Sequence, residues 1–261
     1  MAQLLHGPAY YVVLGLLCGV VGFRLGWRGA VRFVLPLIQG LLGFVAFATA
    51  WRMAGPLVAA LAVAAWALGS SVSGIWVFRQ WPDEADRRLL GASRYRAEML
   101  AWLRTGRGPE SRPLATARSH LVELLIYVAA ALVSANLLSI VIGALLLNRM
   151  NAWVATLLAA AHRPWTVRLL AWNVWSLVRV AAYIMLGSAC AAPLAALAGF
   201  PARNESVFLL LLLGGAGVAL DFVLKLALSR PCGRALSAAL DWEAAALATP
   251  SDAAGADGDG G

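Results

Sequence analysis

Six hydrophobic runs dominate the chain, near 8–23, 33–51, 55–78, 121–147, 176–200 and 207–228. About 20 residues rising 1.5 Å each cross the hydrocarbon core of a bilayer, so each run reads as a membrane span. None of them alternates apolar and polar residues with a period of two, and all are rich in Ala, Leu and Gly. That excludes a strand reading. The pattern therefore predicts an all-α, polytopic membrane helix bundle with about six transmembrane helices.

Two segments between the runs show a helical period without being hydrophobic throughout. In 84–104, Tyr95, Met99 and Trp102 fall on one face, with Arg87, Arg94 and Glu98 on another. The sequence Thr105-Gly-Arg-Gly-Pro109 should end that helix. In 149–168, Met150, Trp153, Leu157 and Ala161 form an apolar stripe that Pro164 interrupts. Both segments are expected as amphipathic helices in the interface plane. Residues 1–248 read as one membrane domain. Beyond it, 249–261 is a small, acidic tail expected to be disordered.

Composition agrees with this reading. Of 261 residues, 61% are hydrophobic and 13% charged, against about 25% charged in a soluble domain. The net charge is +8, and only one of the 21 basic residues, Lys225, is a lysine. Arginine in place of lysine, with abundant Ala and Gly, points to a GC-rich bacterial genome and an inner-membrane location. Nine arginines fall between Arg79 and Arg118. Arginines gathered between hydrophobic runs mark a cytoplasmic side rather than a nucleic-acid surface. The expectation is thus a cytoplasmic segment 79–120, with Arg87, Arg88, Arg94 and Arg96 against anionic headgroups.

The first seven residues carry no positive charge, whereas Arg24, Arg28 and Arg32 follow the first run. This favours an uncleaved anchor with its N-terminus outside. The side of the C-terminus depends on 121–161. Two crossings there would gather the arginines between spans, Arg52 and Arg203 apart, on one side. They would also bring Asn148-Arg149-Met150-Asn151 into or near the bilayer, which is costly. A re-entrant helix over 149–168 is the alternative.

Few polar groups lie within the runs. Asp221 and Lys225 stand at i, i+4, on one face with Gly214 and Gly217, which implies contact with other helices. Arg179 opens the fifth run, on a stripe with Arg168, Trp172, Ser176 and Tyr183. Asp221, Lys225 and Arg179 form the candidate intramembrane polar site. The simplest reading pairs Asp221 with Lys225 and lets Lys225 and Arg179 snorkel to the headgroups. A bridge from Arg179 to Asp221 is the other arrangement. Gln39, Asn136 and Ser139 should hydrogen-bond neighbouring helices. Gly15, Gly19, Gly22 and Gly26 recur at steps of 4, 3 and 4 and form a packing seam. Its partner is another helix of the chain, a second copy or a partner helix.

Catalytic and cofactor signatures are missing. There is no HExxH, GxSxG, P-loop or EF-hand pattern. His120 precedes Glu123 by three, without the second copy that a di-metal helical site needs. Cys18, Cys190 and Cys232 lie far apart and read as apolar fillers. No catalytic, cofactor or metal residue is assigned, and no nucleic-acid partner is expected. The leading expectation is a non-enzymatic membrane subunit or scaffold that docks a protein partner on its arginine-rich segment. A solute or ion carrier using Asp221, Lys225 and Arg179 comes second, and an enzyme acting on lipid-linked substrates third.

Overall fold

The computed structural model describes residues 7–29, 31–111, 113–201 and 204–243. It is all-helical, and seven helical segments are long and apolar enough to cross a membrane. Hydrophobic length alone forms them. Proline at the first turn, where a backbone N–H has no partner to lose, opens α1 (Pro8–Trp27), α3 (Pro56–Gln80) and the short α4 (Pro82–Arg88). Between α2 (Val34–Ala54) and α3, Gly55 takes φ +96° and reverses the chain in a single residue.

The fourth hydrophobic run is two helices, which raises the span count from six to seven. Ala135 and Asn136 adopt positive φ between α6 (Pro113–Ser134) and α7 (Leu137–Ala159). Asn tolerates the left-handed region because its short side chain bonds locally, and here Asn136 Oδ1 accepts from Ser139 Oγ. The chain thus crosses twice between 117 and 159. Part of the cost of carrying 148–151 into the bundle is offset by bonds to other segments, while the buried Asn151 amide finds no hydrogen-bond partner among the described residues. Asn148 exchanges side-chain hydrogen bonds with Gln39, at 2.7 and 3.5 Å. Arg149 donates Nε to the Leu90 carbonyl at 2.8 Å.

Both amphipathic segments pack their apolar faces on the bundle. The stripe Met150, Trp153, Leu157 is the second half of α7, with Trp153 and Leu157 fully buried. The segment 84–104 breaks at Gly91, φ +71°, into α4 and α5 (Ala92–Thr105). Met99 and Trp102 of α5 pack on Trp153, Leu157 and Leu236. The apolar face of this segment is covered by protein instead of lipid.

α1, α2 and α3 form a tight trio that continues onto α7. The rest of the bundle is α6, α9 (Val174–Cys190) and the long α11 (Asn204–Ser237), with short α8 (Pro164–Leu170) and α10 (Ala192–Leu197) flanking α9. The loops after α1, α3 and α7 and the end of α11 meet at one end of the bundle. Arg32 Nε bonds the Arg87 carbonyl, Arg88 bonds the carbonyls of Trp27 and Gly29, and Asp241 N bonds the Ala160 carbonyl. The acidic tail, 249–261, lies outside the described residues.

Candidate functional site: a charged crevice between the helices

Two small residues bring α11 against α9. A Cβ on Gly214 would meet Leu186 at 2.7 Å, and one on Gly217 would meet Ala182 at 2.9 Å. The face of α11 that carries Asp221 and Lys225 is therefore buried against another helix, as their spacing implied. The pairing differs from the simplest reading. Asp221 binds Arg179 in a two-pronged ion pair, Nε to Oδ2 at 2.9 Å and Nη2 to Oδ1 at 3.0 Å. Lys225 instead reaches Glu110, with Nζ 3.2 Å from Oε2. The same Glu110 oxygen accepts from Trp175 Nε1 at 3.0 Å.

Neither cation snorkels. Lys225 is 2% exposed and its ammonium is turned to the Glu110 carboxylate. The guanidinium of Arg179 is held by its carboxylate and by His120, whose Nε2 lies 3.3 Å from Nη1. Arginine has only donors, so His120 Nε2 accepts and its proton sits on Nδ1. A buried charge is tolerated where its partner and hydrogen bonds are supplied together, and α11, α9 and the turn 109–111 supply them.

This network lies beside a cavity of about 510 Å³. The cavity separates α6 from α7 and is walled further by α3, α5 and α9. Gly143 keeps it open, since the nearest atom to an added Cβ is on the Tyr127 ring at 3.8 Å. Trp66, Ile140 and Ile184 line its apolar part, and His120, Glu123, Arg149 and Arg179 line its polar part. It reaches Arg94, whose side chain is 86% exposed, so it opens at the arginine-rich end. Tyr183 donates its hydroxyl to the His120 carbonyl at 3.3 Å and stacks obliquely on Tyr127. On the α5 wall, desolvation, reinforced by the Glu110 carboxylate, holds the Tyr95 phenol well above its ordinary pKa.

The structure thus joins Asp221, Lys225 and Arg179 in one cluster and adds Glu110 and His120 to it. Glu110 lies in a Gly-Pro-Glu-Ser turn outside every hydrophobic run. Its signal was arithmetic: a buried Lys225 whose helix-mate Asp221 is taken by Arg179 needs a further acid.

The glycine seam packs inside the chain. Added Cβ atoms on Gly15 and Gly19 would lie 2.1 and 2.2 Å from the carbonyl oxygens of Ala62 and Trp66 on α3. Those on Gly22 and Gly26 would press on the Gln39 and Leu35 backbone of α2. This face holds no room for a second copy or a partner helix.

The basic segment also divides. Arg96 is 2% exposed and bound to Asp86, and Arg88 bonds Glu84 and the end of α1 while stacking on Trp27. Those two arginines are spent inside the protein, because α4 and α5 fold back onto the bundle. Arg87 and Arg94 remain exposed. Among the described residues no group of three His, Cys, Asp or Glu side chains is placed to hold a metal ion. Comparison with family models, with curated proteins and with solved structures finds no match to this chain.

Proposed function

We propose that this multi-pass membrane protein binds a small polar or amphiphilic molecule in the crevice between α6 and α7 and carries it across the membrane. The supporting observation is the charged crevice itself. A cavity of about 510 Å³ that joins aromatic and aliphatic walls to a few convergent charged groups has the make-up of a ligand site. Charges within a bundle that face such a cavity mark solute and ion pathways. The arginine-rich end is the cytoplasmic side of an inner membrane in this reading, because Arg52 stands nearly alone at the other end. A cysteine at Ser111 should then resist an impermeant thiol reagent in intact cells.

Labelling of the crevice tests the proposal. Ser176 lines it. In a chain whose three native cysteines are alanine, Ser176→Cys should react with a small water-soluble maleimide from the arginine-rich face. Gly143→Leu should block that reaction by filling the space. A carrier should also label, more slowly, from the opposite face. Labelling from one face only would make the protein a receptor, and no labelling from either face would refute the crevice reading.

A docking subunit is the second reading, and the exposed guanidiniums of Arg87 and Arg94 favour it. Reversing both to glutamate should then abolish partner or anionic-vesicle association while Ser176→Cys labelling persists.

A further inference from the structure

Two charges on the crevice wall have no ion-pair partner among the described residues. Arg94 is held by Glu98 at 2.9 Å, Arg179 by Asp221, and Glu110 by Lys225. Glu123 of α6 has no cationic partner among the described residues. Arg149 of α7 gives its Nε to a backbone carbonyl and meets no carboxylate among them. Both line the same cavity.

They stand on opposite walls at nearly one level. α6 and α7 run antiparallel from the turn at Asn136, and the Tyr127 ring lies opposite Gly143. Counting outward from that pair, Glu123 is level with Leu147. Arg149 stands two residues further, about 3 Å along the axis. A carboxylate and a guanidinium thus line one space, whose apolar part is formed by Trp66, Ile140 and Ile184. A ligand with one charge would satisfy one of them and desolvate the other, which is unfavourable.

We infer that the crevice binds a zwitterionic group, its anion on the Arg149 guanidinium and its ammonium on the Glu123 carboxylate, with an apolar part against Trp66 and Ile140. This rests on the ligand-binding reading of the crevice above. Two sources share the chemistry: a free apolar amino acid, and the phosphoethanolamine headgroup of a lipid.

Titration of the purified full chain in maltoside detergent tests the inference. One probe series is leucine, leucinamide and isocaproate. The other is a short-chain phosphatidylethanolamine, the matching phosphatidylglycerol and an alkylamine. In one series the zwitterion should bind roughly tenfold or more tightly than either singly charged member. The responding series identifies the source. Glu123→Gln should erase the preference over the anion, and Arg149→Gln the preference over the cation. Glu123→Gln should keep the parent melting temperature, since Glu123 belongs to no ion pair among the described residues; Arg149→Gln also gives up its bond to the Leu90 carbonyl, so it is judged by the ratio of affinities within one series and not by stability. Equal affinity for all members of both series overturns the zwitterion inference and leaves the crevice reading standing. Absence of all binding, with Ser176→Cys still labelled, overturns it as well. Absence of both overturns the two together.

Discussion

The two halves of the bundle solve the same packing problem with a different balance of close backbone approach and polar bonds. In the N-terminal trio, α1 lies on α3 so closely that glycine backbone touches carbonyl oxygen, and Ser70 donates to the Gly19 carbonyl across the seam. In the other half, α6 and α7 part around a cavity, and α9 joins α11 through a guanidinium and a carboxylate. Lipid tails give helices no hydrophobic reason to associate, so contact must come from close backbone approach or from polar bonds. The first half uses backbone approach and leaves no space. The second brings α11 onto α9 at Gly214 and Gly217 and adds polar bonds beside a space it keeps. A rigid frame beside a polar opening is the arrangement a binding site requires.

The comparison breaks most sharply at the seam. Gly19→Leu puts a side chain into the Trp66 carbonyl and the Ser70 backbone, neither of which can turn away. The cost should reach or exceed about 3 kcal/mol, the upper end of overpacking, and the variant should fail to yield a monodisperse peak in detergent. Gly215→Leu is the control, because nothing lies within 4 Å of its Cβ position. Its melting temperature should match the parent. Equal loss in both variants would mean that leucine substitution, and not the seam, is responsible.

The polar half should show its dependence in a double-mutant cycle. Asp221→Asn leaves Arg179 without its counter-charge, a loss of about 3–5 kcal/mol for a fully buried pair and less here, where the Arg179 side chain is 18% exposed. Asp221→Asn with Arg179→Met should recover much of that loss. Asp221→Asn with Lys225→Met should lose more, because Glu110 is then stranded as well. Recovery in the second double variant instead would restore the Asp221–Lys225 pairing. An Asp221→Asn chain that melts like the parent yet transports nothing would make the pair functional before it is structural.

The apolar runs fixed helix, membrane and bundle, since length and hydropathy are properties of a segment alone. The turn at 135–136 escaped because Ala-Asn carries no Gly or Pro signal and lies in the middle of an apolar run. The apolar face of α5 was visible, but periodicity cannot say whether lipid or Trp153 will cover it. For the site, the shared face of Asp221 and Lys225 was legible from spacing. The bridge from Arg179 to Asp221 was legible as the other arrangement, whereas the choice between the two pairings and the Glu110 partner of Lys225 depend on how α11 docks, which no local pattern encodes.

A smaller effect lies where the halves meet. Gln39 of α2 and Asn148 of α7 form an amide pair that joins the tight trio to the crevice wall. Removing one partner strands a buried amide, at about 1–3 kcal/mol. Gln39→Leu should therefore lower the melting temperature, and Gln39→Leu with Asn148→Leu should lower it less. Additive losses in a thermal-melt cycle would show that the two amides are not coupled.

The smallest effect concerns the tie between the arginine-rich loop and α1. Arg88 reaches the Trp27 and Gly29 carbonyls, satisfying oxygens left open at the end of α1, and Glu84 holds Arg88 in place. The hydrogen bond from Arg88, with the charges of Arg88 and Arg87, keeps the Glu84 carboxyl below the ordinary carboxylate pKa. A group whose folded pKa is depressed contributes stability above its unfolded value, and that contribution is lost as pH falls through the folded one. The tie should therefore be intact at neutral pH and weaken below about pH 4.5, the ordinary glutamate value. Thermal unfolding of the parent between pH 3 and 7 should show a small acid-side decline that Glu84→Gln lacks. Neighbouring Asp86 works in the opposite sense. Its desolvation beside buried Arg96 raises its pKa, so its protonation should favour the folded state as pH falls and partly offset the decline. Asp86→Asn should accordingly steepen the acid limb, whatever it costs at neutral pH. An acid limb unchanged by Glu84→Gln would show that Arg88 holds the end of α1 without help from the Glu84 charge.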